Sequence, residues 1–121
     1  MEHTAGFLKL VNDAKSRVQQ IDIDGYKKLV TAGETHVLVD TREDNEWDKG
    51  RVRGAVHLSR GIIERDIETK YPDKETPMVL YCGGGFRSAL VAESLQKMGY
   101  TRAISLDGGW KALKESGLPL E

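Results

Sequence analysis

Apolar residues recur along this 121-residue chain in two alternating rhythms, one helical and one strand-like. Phe7, Leu8, Val11, Ala14 and Val18 fall at roughly helical spacing and predict an amphipathic helix near the start. Its apolar side is expected to pack on the body of the protein. Docking a partner or lying on a membrane is the alternative, and Glu2 and Asp13 disfavour the membrane. Arg17 to Ile21 reads as a short strand, after which Asp22 or Asp24 caps a helix of about ten residues ending near Gly33. The unbroken run His36-Val37-Leu38-Val39-Asp40 has the character of a strand covered on both faces. Glu43 to Lys49 forms a short polar helix stopped by Gly50, and Ala55 to Leu58 a third strand. A helix from Gly61 to Thr69 carries Ile62, Ile63 and Ile67 and is broken by Tyr71-Pro72-Asp73. Met78 to Tyr81 is the fourth strand, Ser88 to Met98 the helix after it, and Ala103 to Leu106 the fifth strand. Gly108-Gly109-Trp110 leads into a last helix ending near Gly117-Leu118-Pro119.

Strands that alternate with helices through nearly the whole chain predict an α/β fold: a mostly parallel five-stranded sheet with helices on both faces, three layers in all. In such sheets, sites lie beyond the carboxyl ends of the strands. Cys82 and Asp40 both stand at such ends. The length suits one domain with a substantial core. Neither a repeat nor a Pro/Gly/Ser linker divides it.

Composition narrows the function classes. Hydrophobic residues make up 39% and charged residues 31%, as in soluble globular domains. With 18 basic and 19 acidic side chains the formal charge is -1, so there is no global field to attract nucleic acid. No apolar stretch approaches a membrane span or a signal-peptide core. A single cysteine excludes an internal disulfide, and no Cys/His spacing suggests a metal site. His3, His36 and His57 are scattered and expected to be solvated or hydrogen-bonded structural residues. A lone accessible thiol lasts longest in a reducing compartment, which points to the cytoplasm.

That cysteine carries the chemistry. The strand ending at Tyr81 delivers Cys82 into Gly83-Gly84-Gly85, followed by Phe86, Arg87 and Ser88 at the opening of a helix. Without Cβ atoms in the turn, its amides can converge into an anion nest, reinforced by the positive end of the helix dipole. Arg87 can fold beneath the loop to orient it or reach an anionic substrate, and Ser88 can cap the helix it begins. Such a site favours thiolate over thiol and can stabilise a persulfide anion, Cys–S–S⁻. The plainer alternative is an inert buried cysteine followed by a glycine-rich turn. A nucleotide loop would want G-x-G-x-x-G or a Lys-Ser/Thr pair, and neither occurs in the Cys82–Ser88 loop. Asp40 and Arg42 are candidates for pocket support, or for an ion pair bracing the Glu43–Lys49 helix. Trp47 and Trp110 are expected in the core or a pocket wall.

Cys82-x4-Arg87-Ser88 resembles the active-site loop of the rhodanese family of sulfurtransferases. Val39-Asp40-Thr41-Arg42-Glu43, with Glu46-Trp47, resembles the family's D-x-R-x(3)-E stretch. Gly50 to Ala55 resembles its G-H-I-P-G-A segment, with Arg51 for the usual histidine and Arg53 for the usual proline. Leu106-Asp107-Gly108-Gly109-Trp110 resembles its L-x-G-G-x-x-x-W pattern with the tryptophan early. The likeness runs from Val18 to Pro119 and implies a helical segment, 1–17, ahead of a rhodanese-like domain, 18–121. Arg51 and Arg53 resemble scaffold positions leading into a strand. The loop's single arginine contrasts with the more basic loops typical of two-domain rhodaneses specialised for thiosulfate.

The resemblance implies a double displacement without metal or organic cofactor. Cys82 takes sulfane sulfur from a donor such as thiosulfate, and cyanide or a thiol then accepts it. The amides of Gly83, Gly84, Gly85, Phe86, Arg87 and Ser88 form the cradle. Two other readings use the same thiol. A relay would hand persulfide sulfur to a partner protein. A cysteine phosphatase or arsenate reductase would resemble Cys-x5-Arg, one residue longer, and a phosphatase would also need a protonated acid that the sequence does not identify.

Overall fold

The computed structural model describes residues 3–121; Met1 and Glu2, the start of the 1–17 segment, lie outside the described residues. In chain order the elements are α1 (Ala5–Lys15), β1 (Gln19–Ile21), α2 (Ile23–Thr31), β2 (Val37–Asp40), α3 (Asp44–Lys49) and β3 (Val56–His57), then α4 (Ile63–Lys70), β4 (Met78–Tyr81), α5 (Phe86–Lys97), β5 (Ala103–Leu106) and α6 (Gly109–Lys114). The five strands form one sheet in the order β1-β5-β4-β2-β3, with every neighbouring pair parallel. β4 is central: Leu80 stands opposite Val39 on one side and Ser105 on the other. All four of its residues are buried, which explains why this strand is an unbroken apolar run.

Successive strand residues face opposite layers. Met78, Leu80 and Val39 pack with Ile63 and Ile67 of α4 and with Val91 and Leu95 of α5. Val79, Tyr81, Leu38 and Leu106 pack on the other side with Tyr26 of α2 and Leu113 of α6. The fold is therefore α/β with helices on both faces of a parallel sheet, as the alternation of elements predicted. α1 adds to this arrangement from outside: Val11 and Ala14 bury themselves with Leu90 of α5, and Phe7 and Phe86 flank that cluster. No described helix is long and apolar enough to cross a membrane.

Several boundaries differ from those the sequence suggests. The strand expected from Arg17 begins only at Gln19, because the Arg17 amide still bonds to the Ala14 carbonyl at 2.9 Å in the last turn of α1. Asp22, not Asp24, caps α2 through a 2.8 Å bond from the Gly25 amide. The helix expected from Gly61 starts at Ile63, after a turn in which the Ser59 carbonyl takes the Ile62 and Ile63 amides. α5 starts at Phe86 rather than Ser88, since Gly85 adopts φ +98° and turns the chain two residues earlier. His36 and His57 have structural partners. His36 bonds to the Tyr26 hydroxyl at 2.8 Å, and burial pushes that phenol up to about 12. His57 bonds to the Arg42 carbonyl at 2.8 Å and stacks on Trp47 with 4.7 Å between centroids.

Leu95 is fully buried and Leu10 is 52% exposed. Leu95→Ala should cost about 2–5 kcal/mol, whereas Leu10→Ala should stay within about 0.5 kcal/mol. Urea denaturation midpoints check both. Equal effects would contradict the assigned packing of α5.

Candidate active site

At the carboxyl end of β4 the chain turns so that the Cys82 sulfur accepts the Gly85 amide at 3.2 Å and the Ser88 amide at 3.3 Å. The Ser88 hydroxyl lies 3.5 Å from the same sulfur and 2.9 Å from the Ser105 hydroxyl of β5. These two amides come from the glycine turn and the first turn of α5, where unpaired N–H groups and the helix dipole both favour negative charge. The amides of Gly83, Gly84, Phe86 and Arg87 make no hydrogen bond to the sulfur. The nest around Sγ itself is thus narrower than the six-residue cradle expected from the sequence.

What fixes the turn is a second turn packed behind it. The Cys82 carbonyl accepts the Trp110 amide at 2.6 Å, and the Gly83 carbonyl accepts the Lys111 amide at 3.2 Å. With these carbonyls drawn toward α6, the following amides are free to face the sulfur. Backbone meets backbone so closely that side chains are excluded. A Cβ on Gly109, at φ +49°, would collide with the Cys82 carbonyl oxygen, and one on Gly85 would stand 3.1 Å from the Gly108 nitrogen. Here lies the physical content of the Leu106–Trp110 motif.

Cys82 is only 1% exposed, yet it reaches the floor of a cavity of about 530 Å³. Gly83 and Gly84 form the rest of the loop side, and Phe86, Arg87, Glu46, Phe7 and His3 line the walls. Arg87 makes a two-pronged pair with Glu46 of α3, Nη1–Oε1 at 2.8 Å and Nη2–Oε2 at 3.1 Å. Oε1 also accepts the Glu43 amide at 3.1 Å. The hydrogen bonds from Arg87 hold the Glu46 carboxyl below its ordinary value, against partial burial that pushes it up. The same bonds raise Arg87, with burial opposing and the charge of the Glu46 carboxylate reinforcing. Arg87 therefore flanks the pocket as half of a neutral pair.

Asp40 and Arg42 do not line the cavity. Both are buried, and they pair through Nη2–Oδ2 at 2.7 Å and Nε–Oδ1 at 3.0 Å. Nη2 of Arg42 also donates to the Gly50 carbonyl at 2.7 Å, and its guanidinium lies 4.6 Å from the Trp110 ring centroid. They brace the end of α3 and the start of α6, so any support for the pocket is indirect. Trp110 packs beside both Arg42 and Tyr81, and Trp47 lies against Arg51 and His57; both are walls of the fold, outside the thiol cavity. Arg51 and Arg53 tie down the end of the chain, their amides bonding to the carbonyls of Glu121 and Pro119.

Four contributors were not assigned to the site from sequence. Glu46 was visible as the final position of D-x-R-x(3)-E, and Phe7 as part of the helical stripe. Ser105 is the one polar residue in the apolar run Ala103–Leu106. For His3 there was no signal, because only the packing of α1 on α5 brings it to the cavity.

A thiol held in an amide nest at the carboxyl end of a parallel strand, opening on a pocket, defines an α/β domain built around a cysteine loop. A family model for the rhodanese-like domain matches residues 22–116. Over 95 residues the chain is 34% identical to YtwF of Bacillus subtilis, named as a candidate sulfurtransferase, covering 78% of this chain and 89% of that one. Against the thiosulfate sulfurtransferase GlpE of Coxiella burnetii, identity is 34% over 79 residues, 63% of this chain and 72% of the other. A Rhodopseudomonas palustris structure described as of unknown function and a candidate tyrosine phosphatase superposes with TM-score 0.87 at 28% identity, covering 100% of this chain and 98% of that one. The chain belongs to the rhodanese-like domain family, in which relatives are named sulfurtransferase and sulfur carrier.

Gly109→Ala should strain the loop and lower stability by about 1–3 kcal/mol, read from urea unfolding; a neutral result would contradict the backbone contact. The Glu46 value lies lower in the folded protein than unfolded. Its stabilising contribution is therefore complete above its ordinary value of 4.5 and lost as pH falls through the depressed folded value. The stability gap between wild type and Glu46→Gln should narrow over that acid range, as urea midpoints at several pH values would reveal.

Proposed function

We propose that this protein is a sulfurtransferase that carries sulfane sulfur through a persulfide on Cys82. The Gly85 and Ser88 amides directed at Sγ are the observation that carries this reading. A Cys82 thiolate attacks the outer sulfur of a donor such as thiosulfate; a new S–S bond forms, the donor's S–S bond breaks, and sulfite leaves with the electron pair. The enzyme-bound sulfur then passes to cyanide or a thiol, and Cys82 returns as thiolate. The other loop amides, those of Gly83, Gly84, Phe86 and Arg87, are available to the outer sulfur, where charge resides in the intermediate. Asp40 and Arg42 act as positioning residues through Trp110. A lone working thiol suits a reducing compartment, the cytoplasm.

A phosphatase reading is less well supported. The ring from Cys82 to Arg87 is one residue short for a tetrahedral oxyanion. Glu46 is the carboxyl lining the cavity among the described residues, and it is held ionised by Arg87, so it is a poor acid for a leaving group. A relay to a protein acceptor keeps more weight. The chain is 26% identical to YrkF of Bacillus subtilis, named as a candidate sulfur carrier, and covers about half of its length, 51%.

Incubation with thiosulfate should add one sulfur atom to the intact mass, and Cys82→Ser should abolish the gain. Sulfur uptake by the serine variant would refute the proposal. Hydrolysis of phenyl phosphate would favour the phosphatase.

A further inference from the structure

The cavity over Cys82 is larger and more aromatic than transfer between small inorganic ions requires. Its volume of about 530 Å³ lies in the range of sites for organic ligands, roughly 300–1,000 Å³. One wall comes from a part of the chain outside the family match at 22–116: Phe7 of α1 and His3 just before it. The His3 ring packs edge-on to Phe86 at 4.5 Å and lies 5.2 Å from Phe7, and Phe7 meets Phe86 at 6.4 Å. Three rings, two on helices and one just ahead of α1, thus border the opening above the sulfur. α1 is held there by the burial of Val11 and Ala14 against Leu90.

The charges around this rim are matched. Arg87 is paired in a fork with Glu46. Lys15, whose ammonium sits 4.8 Å from the Phe86 ring centroid, also lies 3.7 Å from an Asp107 carboxylate oxygen. A pocket specialised for a dianion would present unmatched cations. An aromatic rim with neutralised charges instead favours a group that leaves water gladly.

The geometry points to an acceptor of a definite class: a low-molecular-weight organic thiol bearing an aromatic or bulky apolar group, seated against Phe7, His3 and Phe86. This inference rests on the sulfurtransferase reading and specifies its second half-reaction. The acceptor thiol gives its proton to solvent. Its sulfur then attacks the outer sulfur of Cys82–S–S⁻, forming R–S–S⁻, while the bond to Sγ breaks and Cys82 departs with the electron pair as thiolate. The aromatic rim binds R and aims the attacking sulfur down at the loop.

The test uses the full chain, loaded with sulfur from thiosulfate and mixed in single turnover with phenylethanethiol or mercaptoethanol, two alkyl thiols that differ in apolar bulk. The wild type should discharge to phenylethanethiol about tenfold faster, the discrimination that one apolar group gains in a fitted pocket. That ratio should fall toward one in Phe7→Ala and in His3→Ala; His3 lies outside the helix, so loss of fold would not explain its effect. Equal rates in the wild type, or a ratio unmoved by both substitutions, would overturn the inference. A parallel arm needs no persulfide: alkylation of Cys82 by phenylmaleimide against methylmaleimide, each normalised to a free thiol. A wild-type aryl preference that both variants lose supports the rim, and its absence counts against it. Failure to load sulfur with the maleimide preference intact would remove the transferase reading while leaving the aryl-binding rim standing.

Discussion

The site depends on one backbone contact, the clamp between two turns at the carboxyl edge of the sheet. Two carbonyls of the cysteine loop, those of Cys82 and Gly83, are held by the opening amides of α6. A loop of three glycines has many conformations in isolation, and most would scatter its amides. Fixing the carbonyls on one side removes that freedom and presents Gly85 and Ser88 to the sulfur. Pre-set donors of this kind need no reorganisation when negative charge develops at the sulfur.

The clamp is itself supported from below by a buried ion pair. Asp40 and Arg42 lie in the interior, and Arg42 reaches both the Gly50 carbonyl at the end of α3 and the face of Trp110 in α6. A buried pair contributes little net stability against an apolar replacement, but losing one partner would strand a charge and is costly. Its worth here is geometric. It fixes α3, which carries Glu46, relative to α6, which carries the clamp, so the two sides of the pocket keep one spacing. Arg87 then closes the side wall through its fork to Glu46, and the charges cancel within the wall.

α1 adds what a minimal parallel-sheet domain would lack. By packing on α5 it gives the loop edge an open pocket with aromatic walls. The thiol loop and the aromatic walls above it therefore come from separate parts of the chain. The first is held by central strands and backbone hydrogen bonds, the second by a peripheral helix and side-chain packing.

Much was legible in the sequence because it is local. The apolar run of β4, the alternation of strands and helices, and the Cys82-to-Ser88 loop each follow from the periodicity or chemistry of adjacent residues, and they were enough to indicate the family. The residues that escaped are those whose role depends on a distant partner. Glu46 acquires its role from Arg87, 41 positions away, and Ser105 from Ser88, 17 away. Asp40 and Arg42 stand at a strand end and form the ion pair bracing α3, one of the two readings the sequence offered; what it did not show is that their burial keeps them out of the cavity and sets Arg42 against Trp110 of α6. His3 reaches the pocket only because α1 folds back on α5. Sequence alone determined the sheet, its order of elements and the cysteine loop at its edge, since those rest on local propensity and burial pattern. Tertiary structure decided which carbonyls are clamped, which charges cancel and which rings border the sulfur, because each is a contact between segments that the chain keeps far apart until it folds.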